Sequence, residues 1–257
     1  MVVPPESAAQ LQRMGLADLG VVLGADEVVS LRAELEERVR GDGVASNPCG
    51  LLRHNLWTRL PTFAALIADG RLSAAACGVL GLEEVVLFQD NLVWKPPHTA
   101  GAIHWHQDFA YWPLDRPDGV TLWLALDDTD RHNGCLGYLL GSHHGGECQA
   151  TDFIDGANHP RHTHLPVFDA AGRSERAFWA EAPAGALLAH HPLVWHTSPP
   201  NGTDGDRRAW SVTFLSPDVC WDPGHAPHPV LYERKPRRGD RVTGDRWPRF
   251  RGAVRID

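Results

Sequence analysis

Glu84-Val85-Val86-Leu87-Phe88-Gln89-Asp90-Asn91-Leu92-Val93-Trp94-Lys95 is the stretch on which the fold turns. It is dense in β-branched and aromatic residues, and it opens a change of rhythm after Gly81. From there the chain proceeds in short apolar runs at 84–95, 102–109, 119–126, 135–140, 185–190, 193–196 and 209–215, separated by Gly, Pro, Asn and Asp. That cadence predicts an antiparallel sandwich or barrel. Ahead of Gly81 the spacing is helical. Val28, Leu31, Leu35 and Val39 fall at i, i+3, i+7 and i+11, predicting an amphipathic helix over 26–40 with Asp26 as cap and Gly41 as stop. Pro61 to about Leu80 forms a second helical zone, with Pro61 in a first turn and Gly70 dividing it in two. The section 143–180 has weak periodicity and predicts a long loop with one short helix, the kind of loop that serves as a lid or substrate wall.

The 257 residues, 43% hydrophobic and 22% charged, suit one domain spanning 1–257 and exclude a disordered chain. No apolar run is long enough to span a bilayer, and the start lacks the basic and apolar regions of a signal peptide, so a cytoplasmic address is expected. Five scattered cysteines without a C-x-x-C pair indicate neither a disulfide framework nor a thiolate metal site. The net charge of −8 argues against nucleic acid or an anionic membrane as partner. The basic segment from Arg234 to Asp257 carries nine Lys or Arg against three Asp, leaving −14 on the rest. It reads as a solvated tail or one folded back onto the acidic body, since Pro236, Gly239, Gly244 and Pro248 break any recognition helix. Oligomeric state is not readable.

Chemistry concentrates in two places. In Ile103-His104-Trp105-His106-Gln107-Asp108-Phe109, residues two apart share a strand face, so His106 and Asp108 offer an imidazole and a carboxylate together. A third ligand must come from elsewhere. His191-Pro192-Leu193-Val194-Trp195-His196-Thr197-Ser198 supplies a histidine, with Arg207 eleven residues beyond His196. Two histidines and one carboxylate leave three positions open on a metal, the arrangement of non-heme Fe(II) oxygenases, and an arginine fork holds a carboxylate bidentately. Of the fifteen histidines, the cluster His159, His162 and His164 reads as solvated loop, because no carboxylate stands beside it at ligand spacing. Ser142 with His143 or His144 lacks a nucleophile elbow and does not read as a hydrolase.

His106-Gln107-Asp108, Asn133-Gly134-Cys135-Leu136 leading into Leu140-Gly141-Ser142-His143, and His191-Pro192-Leu193 through His196 to Arg207 together resemble the phytanoyl-CoA dioxygenase family of Fe(II)/2-oxoglutarate oxygenases. Trp105-His106-x-Asp108-Phe109 and Lys95-Pro96 are similar to its ectoine hydroxylase branch. The resemblance covers roughly 85–215. It implies a mainly β double-stranded β-helix, a cupin-like jelly roll buttressed by N-terminal helices. It implies iron on His106, Asp108 and His196, and 2-oxoglutarate held by Arg207 with Ser198, Lys95 and Trp123 near it. Gln89, His104, Phe109, Tyr111 and Trp112 stand as substrate-wall candidates. The expected activity is O2-dependent hydroxylation of an unactivated C–H of a small molecule, as in secondary-metabolite tailoring, with succinate and CO2 released. Desaturation, cyclisation and epimerisation share the first half-reaction. The rival is a cupin-like isomerase or binding protein without oxygen chemistry, which needs no arginine clamp. No basic cluster near the barrel suggests a coenzyme A phosphate site, and the acidic body suits neutral or cationic molecules.

Overall fold

The computed structural model describes residues 3–40, 48–157 and 161–257. The stop at Gly41 and the position of His159 lie outside them. In chain order the elements are α1 (Ser7–Met14), β1 (Leu16–Val21), α2 (Ala25–Arg38), β2 (Leu51–His54), α3 (Pro61–Ala68), α4 (Arg71–Leu80), β3 (Glu84–Lys95), β4 (Ile103–His106), β5 (Gly119–Ala125), β6 (Leu136–Tyr138), β7 (Phe178–Ala180), β8 (Ala186–His190), β9 (His196–Ser198), β10 (Arg207–Leu215), α5 (Pro229–Arg234), β11 (Arg249–Arg251) and β12 (Val254–Arg255).

The helices start and stop for local reasons. At α2 the Gly24 N–H donates to the Glu27 carboxylate at 2.9 Å, so the cap is Gly24 with its box partner and not Asp26. Pro61 begins α3, and Gly70, at φ 76°, separates α3 from α4. Gly70 also admits the returning tail, since a Cβ there would lie 1.9 Å from the Ala253 carbonyl oxygen. Gly70→Ala meets both the left-handed backbone, costing about 1–2 kcal/mol, and that clash. The variant is expected to melt several degrees lower in a thermal scan, whereas Gly81→Ala, with open space around it, pays only the backbone cost.

Two antiparallel sheets form the double-stranded β-helix. The larger runs β1-β8-β5-β10-β3-β11-β12, with β2 also on β3, and the smaller runs β4-β9-β6-β7. Along β5, Val120, Leu122 and Leu124 pack under the helices with Leu31, Leu35, Phe63 and Leu72, while Trp123 and Ala125 face the space between the sheets with Leu136, Tyr138 and Leu188. Every residue of β5 is therefore buried. Trp210 of β10 meets Phe63 of α3 edge-on at 4.9 Å. Buried Asp90 of β3 accepts the Leu56 and Trp57 N–H groups at 2.8 and 3.0 Å, fixing the turn after β2.

Five short strands, β1, β2, β7, β11 and β12, escape the sequence cadence, and 193–195 form a turn ahead of β9. The section 143–180 opens on the short 3-10 helix Ser142–Gly145 and contains a second, Ala171–Arg176, before β7. The tail folds back. Phe250 is buried, β11 pairs with β3, and Arg249 and Arg251 grip Glu84.

Candidate active site

His106 ends β4, His196 begins β9, and the two are direct partners across the small sheet, with ring centroids 4.1 Å apart. Asp108 opens the single-turn helix that follows β4. Its Oδ1 lies 3.7 Å from His106 Nε2 and 3.5 Å from His196 Nε2. Each imidazole commits its other nitrogen to its own backbone: His106 Nδ1–H donates to the His104 carbonyl at 2.8 Å and His196 Nδ1–H to that of Val194 at 3.1 Å. A carbonyl only accepts, so Nδ1 carries the proton and Nε2 presents a lone pair. Burial lowers both histidines, keeping the rings neutral.

Asp108 is held as precisely. Its Oδ2 accepts from Thr121 Oγ1 at 2.9 Å and from His190 Nε2 at 3.1 Å, while His190 Nδ1 meets the Tyr138 hydroxyl at 3.1 Å. Burial alone would raise the Asp108 carboxyl, but the imidazoles of His196, His190 and His106 outweigh it and hold the group well below the usual carboxylate range. Oδ2 is thereby fully engaged and Oδ1 is left facing two lone pairs. Three acceptors converging on one point form the donor set of a cation site. Thr121, Tyr138 and His190 carry no local motif, and only the sheet brings them to Asp108.

The site floors a cavity of about 710 Å³. Gln89, Tyr111, Trp112 and Trp123 line it, together with Phe153 from the long loop. Two candidates do not. A register irregularity lies between Ile103 and His106, so Ile103 reaches the cavity in place of His104, whose ring sits against Gly156. Phe109 is core, its ring tilted against that of His225 with centroids 4.5 Å apart. Gln107 turns away from the face shared by His106, Asp108 and His196 and ties the Gly146 and Leu193 carbonyls and the Cys148 N–H together. Arg53, Arg59 and Arg246 line the cavity, and Asp108 is its one carboxylate among the described residues. Ser142 accepts from the Trp195 N–H and His143 bonds the Gln12 carbonyl, so no Ser–His pair exists there.

Arg207, Ser198 and Lys95 gather just behind the wall. Arg207 pairs with Lys95 across β10 and β3, and its Nη1 donates to the carbonyl of cavity-lining Val93 at 3.4 Å. Its Nη2 donates to Ser198 Oγ at 3.0 Å, and Ser198 pairs with cavity-lining Ile103. Arg207 is 1% exposed, its Nε has no partner, and no carboxylate pairs with it among the described residues. Burial lowers it to about 10. Lys95, lowered to about 6 by burial and by the charge of Arg207, spends its amine on the Ser198 and Pro199 carbonyls. It props the end of β9 and does not reach the cavity. Arg208 points to the opposite face, bidentate on Asp127 at 2.9 and 3.0 Å.

The family described as phytanoyl-CoA dioxygenase (PhyH) matches residues 11–209. The chain is 31% identical over 195 residues to phytanoyl-CoA dioxygenase domain-containing protein 1 of Bos taurus, covering 70% of this chain and 64% of that protein. It is 32% identical over 139 residues to L-proline trans-4-hydroxylase of Streptomyces griseoviridis, covering 48% and 52%. The chain thus spans less than two thirds of the length of these curated relatives. Among solved structures, the non-heme alpha-ketoglutarate-dependent carbocyclase SnoK from nogalamycin biosynthesis matches with a TM-score of 0.76 at 21% identity, covering 96% of both chains. EctD from S. alaskensis, with 2-oxoglutarate and 5-hydroxyectoine, matches with a TM-score of 0.72 at 22% identity, covering 93% of this chain and 85% of that one.

Proposed function

Because the chain belongs to the phytanoyl-CoA dioxygenase family, we propose that it is an Fe(II)- and 2-oxoglutarate-dependent oxygenase of a small molecule, with His106, Asp108 and His196 as the iron ligands and Arg207 as the anchor of the 2-oxoglutarate carboxylate. The observation that carries this reading is the pairing of two unmet demands. Three acceptor atoms converge where a cation belongs, and a buried guanidinium beside the cavity wall lacks an anion. A cupin-like isomerase or binding protein accounts for the first demand and not the second. Iron bound with 2-oxoglutarate and oxygen would supply the oxidant for an unactivated C–H, releasing succinate and CO2.

The chain's own residues do the rest. The backbone carbonyls of His104 and Val194 fix which imidazole nitrogen is presented, and Thr121 and His190 fix which carboxylate oxygen is. Arg207 offers guanidinium N–H groups at a dry end of the site, where a charge-assisted bond is strong, and Ser198, whose hydroxyl donates to the Gly134 carbonyl, accepts from Nη2 and holds the fork in place. The apolar wall of Trp112, Trp123 and Phe153 keeps water from the reacting carbon. The cavity takes a drug-sized molecule. Such volume and chemistry suit natural-product tailoring, as in the carbocyclase of nogalamycin biosynthesis. Among the described residues no single helix is long and apolar enough to cross a membrane.

The test is an anaerobic titration of 2-oxoglutarate into the Fe(II) protein, followed by succinate formation on admission of oxygen. A visible charge-transfer band and succinate are expected. Their joint absence refutes the proposal. Thr121→Val keeps the shape but withdraws one donor from Oδ2, so Fe(II) affinity should fall about tenfold, read by metal titration, with the melting temperature little changed.

A further inference from the structure

Outside the active site, Glu147, His162 and His225 come together from three parts of the chain, and their ligand atoms lie within 4.8 Å of one another. Glu147 Oε1 is 2.9 Å from His225 Nε2 and 3.4 Å from His162 Nδ1. Each imidazole gives its other nitrogen to a backbone carbonyl, His225 Nδ1 to Trp112 and His162 Nε2 to His225, both at 2.6 Å. His162 Nδ1 and His225 Nε2 are thereby turned toward the Glu147 carboxylate, and the His225–Glu147 contact is a hydrogen bond that, without a metal, favours a proton on His225. His162 Nδ1 is buried without a hydrogen-bond partner, and the two rings stack at 4.6 Å. All three side chains are largely buried, where an acceptor cluster requires a cation. His162 also holds a φ of 59°, a left-handed backbone that only a compensating interaction sustains.

We propose that Glu147, His162 and His225 form a second metal site, for a zinc-class transition ion, which clasps the 143–180 loop to the segment at 222–228. Two imidazoles and a carboxylate are a borderline donor set suited to zinc, and a fourth position remains toward the surface depression lined by His164, Pro223 and Tyr232. The ion would brace the cavity wall from outside, because the Trp112 carbonyl holds His225 and both Trp112 and His228 line the cavity. A proton shared between His225 and Glu147 is the competing occupant.

Metal-stripped full-length protein is titrated with Zn2+ alone, with bound metal counted after dialysis. The expected result is two equivalents for the parent, one for His106→Ala/His196→Ala, and one for each of His162→Ala, His225→Ala and Glu147→Gln. In the His106→Ala/His196→Ala background, Zn2+ should raise the melting temperature, and adding Glu147→Gln should abolish that rise. Glu147→Gln keeps the side-chain shape, so a circular dichroism match separates lost metal from lost fold. A single equivalent in the parent that disappears with His106→Ala/His196→Ala, or a second equivalent that survives both His162→Ala and His225→Ala, overturns the proposal. Because each site is counted in the absence of the other, failure of the active-site reading leaves this count intact.

Discussion

His106→Ala, Asp108→Ala and His196→Ala are each expected to bring succinate formation below detection and to weaken Fe(II) binding by more than about a hundredfold, since losing a ligand must exceed the effect of losing a group that merely orients one. The three should not behave alike toward the fold. Asp108→Ala strands His190 Nε2 in a buried place and leaves Thr121 only the Thr213 hydroxyl, so it should lower the melting temperature most. His196→Ala empties space beside Tyr138 but leaves no charge unmatched. His104→Ala is the control. His106 uses the backbone carbonyl of His104, which alanine retains, so metal binding should survive. Full oxygen-dependent 2-oxoglutarate decarboxylation in all three variants would remove the ligand assignment.

Arg207→Ala is expected to raise the 2-oxoglutarate KM tenfold to a hundredfold while leaving Fe(II) affinity nearly unchanged, from a charge-assisted bond of ~1.5–3 kcal/mol. Arg207→Lys recovers part, because an ammonium keeps the charge and loses the fork. The buried, anion-free environment adds a second signature. An unpaired cation in that place costs the free protein stability, so Arg207→Met should melt no lower than the parent without ligand, yet lose the stabilisation that 2-oxoglutarate gives the parent. Arg208→Ala should do the reverse. It breaks the pairing with Asp127 and Glu36, lowering the melting temperature while 2-oxoglutarate affinity stays within a factor of two or three. If both arginine variants lose 2-oxoglutarate equally, Arg207 is not the anchor.

The fold was legible where one strand carries its own signal. The run 84–95 coincides with β3 because both of its faces are covered and branched side chains crowd it. β1, with Leu16-Ala17-Asp18-Leu19-Gly20-Val21, has no such density, and its pairing with β8 is a long-range event no local window contains. In the site, strand alternation brought out His106, but alternation assumes an unbroken strand, and the irregularity after Ile103 sends His104 away. The residues that hold Asp108, the arginines at the cavity, and the Glu147, His162 and His225 cluster are assembled by tertiary folding alone. Sequence spacing carries no trace of them.

Strand β3 also sets a timetable. Its outer edge is shared by β2, which pairs with 91–94, and β11, which pairs with 84–86. The second of these partners is made very late, for Arg249 follows Glu84 by 165 residues. At ~5–20 residues per second of synthesis, the Val85 and Val86 end of the central sheet waits on the order of ten to thirty seconds for its neighbour. An open apolar edge of that kind is a template for pairing with other chains. The C-terminal hairpin thus acts as a closure during biogenesis, and the interval before it arrives is when a nascent chain depends most on chaperones.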